Sequence, residues 1–245
     1  MGSDISYAPV EFYAPHTHQV TGLDYDIARE LATHLGTTVA FVNHDFKTIL
    51  PALQAGQYDI VMSAMSDDRA REKQVDFVDY FLAGSGILVE KGNPLHIFGL
   101  GDLCGRTVDL QDGTSQQKMV KAQSDKCKSV HLGTIKMLSY KTDDEAFKQI
   151  VERKSVAHLS DFPVVAYIAK TYQGGKRFDI IGKQFGVVPY GIAIPKNNRK
   201  LRDAVQAALQ KMVADGSYDR ILKKWGLEQG AMRSAPISAG TLYSN

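Results

Sequence analysis

The sequence has little of several things: two cysteines, one tryptophan, no excess of either charge and no long apolar run. Its 29 lysine and arginine residues nearly balance 27 aspartate and glutamate residues, for a formal net charge of +2. That balance excludes the basic surface typical of nucleic-acid-binding proteins. No run of about 18 apolar residues is present, so the sequence predicts no transmembrane helix. We also find no phosphate loop, catalytic triad or metal-ligand spacing, and therefore expect no cofactor and no metal.

The two cysteines, Cys104 and Cys127, are too few and too far apart for a zinc site. Two buried free thiols are one interpretation. However, both lie in polar segments, GDLCGRT and SDKCKSV, and a buried thiol prefers apolar neighbours. A disulfide closing this loop would stabilise the fold by about 3 kcal/mol and would suit an exported protein. We favour the disulfide.

Helix and strand patterns alternate along the first part of the chain. The segment from Gly22 to Leu35 places apolar side chains on one face of a helix, and Gly36 ends it. Three shorter segments follow, a β-rich run, a short helix and a buried strand: Val39–Val42, Ile49–Leu53 and Tyr58–Met62. This order predicts an α/β fold with a mainly parallel sheet and helices on both faces.

The alternation starts again in the middle of the chain. Predicted strands are Thr107–Leu110, Ser155–Leu159 and Pro189–Pro195. Predicted helices are Gln116–Gln123, Asp143–Glu152, Phe162–Thr171, Asn198–Asp215 and Ser217–Trp225. We therefore expect two α/β units of about 100 residues each. The tail from Gly230 to Asn245 is rich in serine, alanine and glycine, and we expect it to be loosely held.

Six segments in one order resemble a known family: YAPVEFY, TGLDYDIARELATHLG, DFKTILPALQAGQYDIVMSAMS, REKQVDFVDYF, GDLCGRTVDLQDGTSQQ and DGSYDRILKKWG. They are similar to the family 3 solute-binding proteins, the polar amino-acid receptors of bacterial ABC importers. The resemblance runs from about Asp4 to about Gly230. It implies the two-lobed type II periplasmic-binding-protein fold, each lobe a mainly parallel sheet flanked by helices.

The resemblance also implies where the lobes begin and end. Hinge strands would lie near Phe81–Ser85 and Val187–Tyr190. Residues 1–84 and 188–230 would form lobe 1, residues 85–187 lobe 2, and residues 231–245 a C-terminal tail. The family has a strand directly before Asp4, so here we expect Met1–Ser3 to supply a shortened one.

The segment SAMSDDRAREKQVDF contains two arginines, and only one fits the family pattern. Measured back from QVDF, Arg71 matches the family's carboxylate-binding arginine and Arg69 does not. A planar guanidinium offers a two-pronged set of donors that suits an α-carboxylate. The alternative is a surface arginine paired with Asp67 or Glu72. We expect the amides and hydroxyls of Ser63, Ala64 and Ser66 to donate to the same anion.

Other site residues follow from the resemblance. Asp161 matches the family aspartate that holds the α-ammonium group, and it could also cap the helix beginning at Phe162. The turn before the second-lobe helix would add Gln111, Thr114, Ser115 and Gln116, since a helix N-terminus offers amides to a carboxylate.

The ligand's side chain would meet a second set of residues, Asp4, Tyr7, Phe46 and Glu11. An acid between two aromatic rings suits a cationic side chain through charge pairing and cation–π contact. Ordinary core packing is the alternative for Tyr7 and Phe46, and an exposed strand position for Glu11.

We therefore expect a monomeric receptor that delivers a polar L-amino acid to the membrane permease of an ABC importer. Arginine, lysine and ornithine are favoured, then glutamine or histidine. The location implied is periplasmic or extracellular, with a lipid-anchored precursor as an open alternative. The alternative function is a dehydratase-type enzyme on the same fold, which would need a general acid such as Asp4 or Glu11.

Overall fold

The computed structural model describes residues 1–243, which form two compact units. Unit 1 contains Met1–Ala83 and the chain from Val187 onward, and unit 2 is Gly84–Gly186. Each division lies one residue from the boundary expected from the sequence.

The elements are numbered in chain order. The strands are β1 (Gly2–Ser3), β2 (Phe12–Tyr13), β3 (Val20–Thr21), β4 (Val42–Asn43), β5 (Val75–Glu90), β6 (Thr107–Gln111), β7 (Lys136–Tyr140), β8 (Ala157–Asp161), β9 (Phe178–Ile180) and β10 (Phe185–Pro195). The helices are α1 (Leu23–His34), α2 (Ile49–Gln54), α3 (Ser115–Ser129), α4 (Asp143–Val151), α5 (Phe162–Thr171), α6 (Arg199–Ala214), α7 (Ser217–Trp225) and α8 (Gly240–Tyr243). No helix among residues 1–243 is both long and apolar enough to cross a membrane.

Unit 1 packs its helices on the apolar stripe of α1. Leu23, Ile27 and Leu31 are buried there, and α1 contacts both α6 and α7. β1 pairs in parallel with β4, so Met1–Ser3 supply the short opening strand. The predicted strand Tyr58–Met62 is reduced to bridges at Val61, which pairs with Gly2 and Ala193. The strand does not continue because the chain leaves the strand conformation just beyond, at Ala64, whose φ is 42°.

Unit 2 contains a mixed sheet rather than a mainly parallel one. Its strands lie in the order β5, β8, β6, β7. β6 is parallel to β7 and to β8, whereas β5 runs antiparallel to β8 and to β9. The parallel part was predicted from the βα alternation. The antiparallel part arises because β5 enters from unit 1 as one 16-residue strand, of which the expected hinge strand Phe81–Ser85 is only a part.

The predicted disulfide is present in unit 2. Cys104 and Cys127 are bonded, with their Cα atoms 5.5 Å apart. Cys127 is fully buried among Val108, Val120 and Leu159, so its polar sequence neighbours face away from an apolar core. The bond ties the end of a short 3-10 turn to α3.

A buried ionic cluster lies under the sheet of unit 2. His158 Nδ1 is 2.6 Å from an Asp109 oxygen, and its Nε2 is 3.5 Å from an Asp143 oxygen. The hydroxyls of Ser155 and Ser160 donate to Asp109 and Asp143, respectively. Burial opposes the charged imidazolium, but the two carboxylates outweigh it and raise the pKa of His158 to about 10.

Up to Tyr243, the C-terminal residues are not loosely held as expected; Ser244 and Asn245, the end of the expected loose tail, lie outside the described residues. Residues 231–240, which we call the C-terminal strap, lie against unit 1. Met232 N–H donates to the Tyr218 hydroxyl, and Gln206 donates to the Ala235 carbonyl oxygen. Small side chains suggested looseness in the sequence, but here they allow close approach. A Cβ added to Gly230, just before the strap, would lie 2.2 Å from the Phe81 ring.

Candidate functional site

In unit 1, the loop after Val61 holds the predicted carboxylate-binding arginine. Arg71 is 7% exposed, whereas Arg69 is exposed to solvent. Arg71 Nη1 donates to the Ser66 carbonyl oxygen at 2.8 Å. The Asp68 carboxylate accepts the backbone N–H groups of Ala70 and Arg71, an Asx-type turn that turns Arg71 inward.

The same unit brings Asp4, Phe46 and Ser63 together from distant parts of the chain. The Asp4 carboxylate accepts hydrogen bonds from the Ser6 hydroxyl at 2.8 Å and from Phe46 N–H at 3.3 Å. Asp4 N–H donates to the Ser63 hydroxyl at 2.9 Å. The Phe46 ring in turn lies against Arg71. An acid, an aromatic ring and a cation are therefore linked within unit 1.

Two buried carboxyl groups support this loop from behind. Burial raises the pKa of Asp24 to about 7, although the Tyr80 hydroxyl and Ala64 N–H donate to it at 2.6 and 3.0 Å. Burial, then the nearby Asp24 charge, raises the pKa of Glu11 well above its usual range. Burial therefore disfavours the ionised form of both carboxyl groups, and their contact allows one proton to be shared between them.

The contact of the Ala64 amide corrects one expectation, and the burial of Glu11 excludes the exposed position that was its alternative. The Ala64 amide was expected to donate to the bound anion, but it donates to Asp24, in a loop where Ala64 has a φ of 42°. Glu11 is buried rather than an exposed strand residue, and it accepts the Ser63 hydroxyl at 3.0 Å. Tyr7 is also buried and pairs with Glu11 through N–H···O bonds of 2.7 and 3.1 Å.

In unit 2, the end of β6 and the start of α3 form a compact turn. Gln111 Nε2 donates to the Lys141 carbonyl oxygen at 2.8 Å. The Thr114 hydroxyl donates to the Gln111 carbonyl oxygen and accepts Gln117 N–H, so Thr114 caps the helix whose first residue is Ser115. Gly113, with a φ of 80°, allows the chain to turn there.

Gln116 links two paired strands in unit 2, the end of β8 and the interior of β5. Its Nε2 donates to the Asp161 carboxylate at 2.6 Å and to the Ser85 hydroxyl at 2.9 Å. Asp161 makes no side-chain cap to α5, so the capping alternative is not observed within residues 1–243. Its carboxylate is oriented by Gln116 instead.

Each unit thus presents one charged group that suits one end of an amino acid, a guanidinium in unit 1 and a carboxylate in unit 2. Sequence reasoning missed the residues that support them, Asp24, Tyr80 and Ser85. The only signal for Asp24 was an acid beside the apolar stripe of α1, a position where it could equally have faced solvent.

Comparison with known proteins gives one family and several relatives. The sequence profile of the bacterial extracellular solute-binding proteins, family 3, matches residues 1–228. The arginine-binding protein ArgT of Corynebacterium glutamicum is 30% identical over 240 residues, which cover 97% of this chain and 77% of that protein.

Two solved structures are similar along almost the whole chain. An ancestral arginine-binding protein bound to glutamine has a TM-score of 0.83 and 35% identity, covering 93% of this chain and 96% of its own. An ancestral amino acid-binding protein, described as a precursor of cyclohexadienyl dehydratase, has a TM-score of 0.81 and 35% identity, covering 91% and 93%. The predicted type II periplasmic-binding-protein fold is confirmed.

Proposed function

The chain belongs to the bacterial extracellular solute-binding proteins of family 3, and from that membership we propose that it captures a free polar L-amino acid for an ABC importer. The observation that carries this proposal is the buried Arg71 beside Ser66, Phe46 and Asp4. Capture of the ligand needs no covalent step, because binding alone shifts the protein toward the conformation that binds the ligand more tightly.

We assign the two ends of the ligand as follows. Arg71 binds the α-carboxylate in two-pronged fashion together with Ser66, and the N-terminus of α3 at Thr114 and Ser115 suits the same group. The Ser63 hydroxyl was expected to donate to this carboxylate, but its proton goes to Glu11, so Ser63 supports the site instead. Ala64 shapes the loop rather than donating its amide. Asp161 binds the α-ammonium group, with Gln111 and Gln116 on either side of it.

The favoured ligand is cationic, arginine, lysine or ornithine, with glutamine or histidine next. Asp4 supplies the countercharge and Phe46 and Tyr7 supply aromatic faces. Glu11 is buried and already accepts the Ser63 hydroxyl, and burial, then the Asp24 charge, raises its pKa. The relatives support this order, since one binds arginine and a structure of another holds glutamine.

A thermal-shift screen against the twenty amino acids tests the proposal. A ligand present at 100 times its Kd stabilises the folded protein by about 2.7 kcal/mol. We expect arginine or lysine to give the largest shift and neutral aliphatic amino acids to give none. A screen in which no amino acid raises the melting temperature contradicts the proposed function.

A dehydratase is the second candidate, favoured by the likeness to the dehydratase precursor and by the raised pKa of the buried Glu11 carboxyl. A general acid must donate a proton to the leaving group, and a carboxyl with a raised pKa can do so. Mass spectrometry of ligand recovered after incubation separates the two candidates, because a receptor returns its ligand unchanged.

The partners follow from the function. We propose that the protein acts outside the cytoplasmic membrane, as a monomer, and passes its ligand to a membrane permease. Sedimentation of the protein with and without arginine tests whether it is a monomer in both states.

A further inference from the structure

The C-terminal strap lies just beyond the residues that the family profile matches, which end at 228. It runs antiparallel along the first half of β5. Ser238 N–H donates to the Phe77 carbonyl oxygen, and the Ser238 hydroxyl accepts Phe77 N–H, both at 3.1 Å. Asp79 N–H donates to the Pro236 carbonyl oxygen at 3.0 Å. The strap therefore adds a short strand to β5 within unit 1.

The end of the strap rests on two fully buried carboxyl groups. Gly240 N–H donates to Asp67 at 2.8 Å, and Ala239 N–H donates to Asp79 at 3.1 Å. A Cβ added to Gly240 would lie 2.1 Å from the Asp67 carbonyl oxygen, a distance that requires the backbone to move. Glycine is therefore the residue that permits this contact.

Asp67 stands between the two residues that hold Arg71. Ser66 accepts a hydrogen bond from the Arg71 guanidinium, and Asp68 accepts Arg71 N–H. Asp67 N–H donates to the Pro189 carbonyl oxygen at 2.8 Å. The loop at Asp67 is thus held on its main chain by Pro189 and on its side chain by the strap.

The strap amides also donate to two members of a group of buried carboxyl groups. Asp67 hydrogen-bonds with Glu72 and with Asp79, so three carboxyl groups are in contact. Burial first, and then the Asp79 charge, raises the pKa of Asp67 to about 8. A buried acceptor that loses its donor is destabilised. Without the strap amides, we expect Asp67 to turn toward water and the loop to move with it.

We propose that the C-terminal strap is a positioning element for amino-acid binding, which fixes Arg71 by seating the Gly240 amide on Asp67. This proposal rests on the proposed function, because it assigns the strap to the same arginine. It extends the site to a segment that makes no contact with the ligand in our assignment.

The main test compares Gly240→Ala with Thr241→Ala, an exposed neighbour, using L-arginine in calorimetry at a temperature where every variant is folded. We expect Gly240→Ala to weaken binding by about tenfold or more, which is about 1.4 kcal/mol. Thr241→Ala should bind as the wild type does. Leu209→Ala, in the buried face of α6, should lower the melting temperature without changing the affinity.

Asp67 variants separate positioning from general stability. Asp67→Asn keeps an oxygen that accepts the Gly240 amide and should retain most of the affinity, whereas Asp67→Ala should lose as much as Gly240→Ala does. Unchanged arginine affinity in Gly240→Ala, or equal losses in Gly240→Ala and Leu209→Ala, would overturn the proposal.

A second measurement decides the case in which the wild type binds no arginine, which is a failure of the proposed function instead. Hydrogen exchange of residues 63–71 in the unliganded protein should be faster in Gly240→Ala than in Thr241→Ala. Equal exchange in these two variants contradicts a strap that fixes the loop, whatever the ligand is.

Discussion

The Arg71 guanidinium lies over the ring of Phe46, with its Cζ atom 5.2 Å from the ring centroid. The backbone N–H of Phe46 donates to the Asp4 carboxylate, so one residue is joined to both the cation and the acid of unit 1. A cation in this position is attracted by the face of the ring. The guanidinium plane is therefore held by the ring on one face and by the Ser66 carbonyl at its edge.

The first prediction follows from that geometry. Arg71→Ala and Arg71→Lys should both lose amino-acid affinity, since lysine lacks the two-pronged donor set. Losing one partner of a buried charge pair costs about 2–5 kcal/mol, or roughly 30-fold to several-thousand-fold in Kd. Arg69→Ala, at an exposed arginine two residues away, is the matched control and should be silent in calorimetry. The reverse order would show that the wrong arginine was assigned.

A second prediction concerns the charge of Asp4. Asp4→Asn keeps an oxygen that can accept from Ser6 and Phe46 but removes the countercharge. Arginine and lysine should lose more than about tenfold in affinity, because an unpaired desolvated cation is costly. Glutamine should lose less, since an amide can pair with an amide. Equal losses for arginine and glutamine would remove Asp4 from the side-chain pocket.

The disulfide gives a third prediction. Cys104 and Cys127 are separated by 23 residues, for which the chain-entropy estimate is about 3 kcal/mol. The double variant Cys104→Ser, Cys127→Ser should lose about that much free energy of unfolding in urea. The intact mass of untreated protein should show no free thiol to alkylate. Two alkylated thiols in protein prepared under oxidising conditions would contradict the bond.

The fourth prediction is that His158 stays charged at mildly alkaline pH. Its pKa is raised to about 10 by Asp143 and Asp109, which outweigh desolvation. The contribution of this group to stability is complete below the unfolded pKa of about 6.5 and is lost as pH rises through the folded value. Nitrogen-15 NMR of the imidazole should show both ring nitrogens protonated at about pH 8. A neutral ring there would contradict the ion cluster.

The buried carboxyl groups under the strap give a fifth prediction, in which two variants should change the pH dependence of stability in opposite directions. Burial raises the pKa of Asp79 to about 7. The folded protein therefore holds a proton that the unfolded chain has released. Because of this, the free energy of unfolding falls as the pH rises from the unfolded pKa of about 3.9 through the folded value. Asp79→Asn should flatten that fall when unfolding in urea is compared at about pH 5 and about pH 8.5. Asp79 faces Asp67, whose pKa burial also raises, and the nearby Glu72 carboxylate.

Asp76→Asn is the control. Although burial opposes it, Lys196 and Arg202 lower the pKa of Asp76, so its contribution is present at neutral pH and is lost on acidification. This variant should be less stable than the wild type at neutral pH and converge with it in acid. If Asp79→Asn behaves in the same way as Asp76→Asn, the raised pKa of Asp79 is wrong.

Much of the fold could be predicted from the sequence because most helices carry a clear apolar stripe. The prediction Phe162–Thr171 coincides with α5, and Ser217–Trp225 with α7. β5 was not predicted beyond the hinge strand Phe81–Ser85, because VDFVDYFLAGSGILVE mixes alternating and continuous apolar stretches, a pattern with no single period. The strap was missed because composition reports the flexibility of a free segment and not the donors it meets.

The candidate site, like the fold, could be predicted from the sequence only in part. Arg71 could be separated from Arg69 by the family pattern, measured back from QVDF, and in the structure Arg71 is buried whereas Arg69 is exposed. The contact of Glu11 with Asp24 and the bond from the Ala64 amide could not be predicted, since each joins residues far apart in the chain. Such contacts depend on tertiary packing, which a local sequence pattern does not report.

The division of the chain has a consequence for biosynthesis. Unit 2 is one continuous segment, Gly84–Gly186, whereas unit 1 needs its first 83 residues to find a partner segment that begins at Val187. Because domains fold as units while the chain emerges from its N-terminus, unit 2 is the first to be complete. The N-terminal residues, which carry Asp4 and Arg71, must wait for the strap, so the arginine loop is among the last parts of the protein to reach its final form.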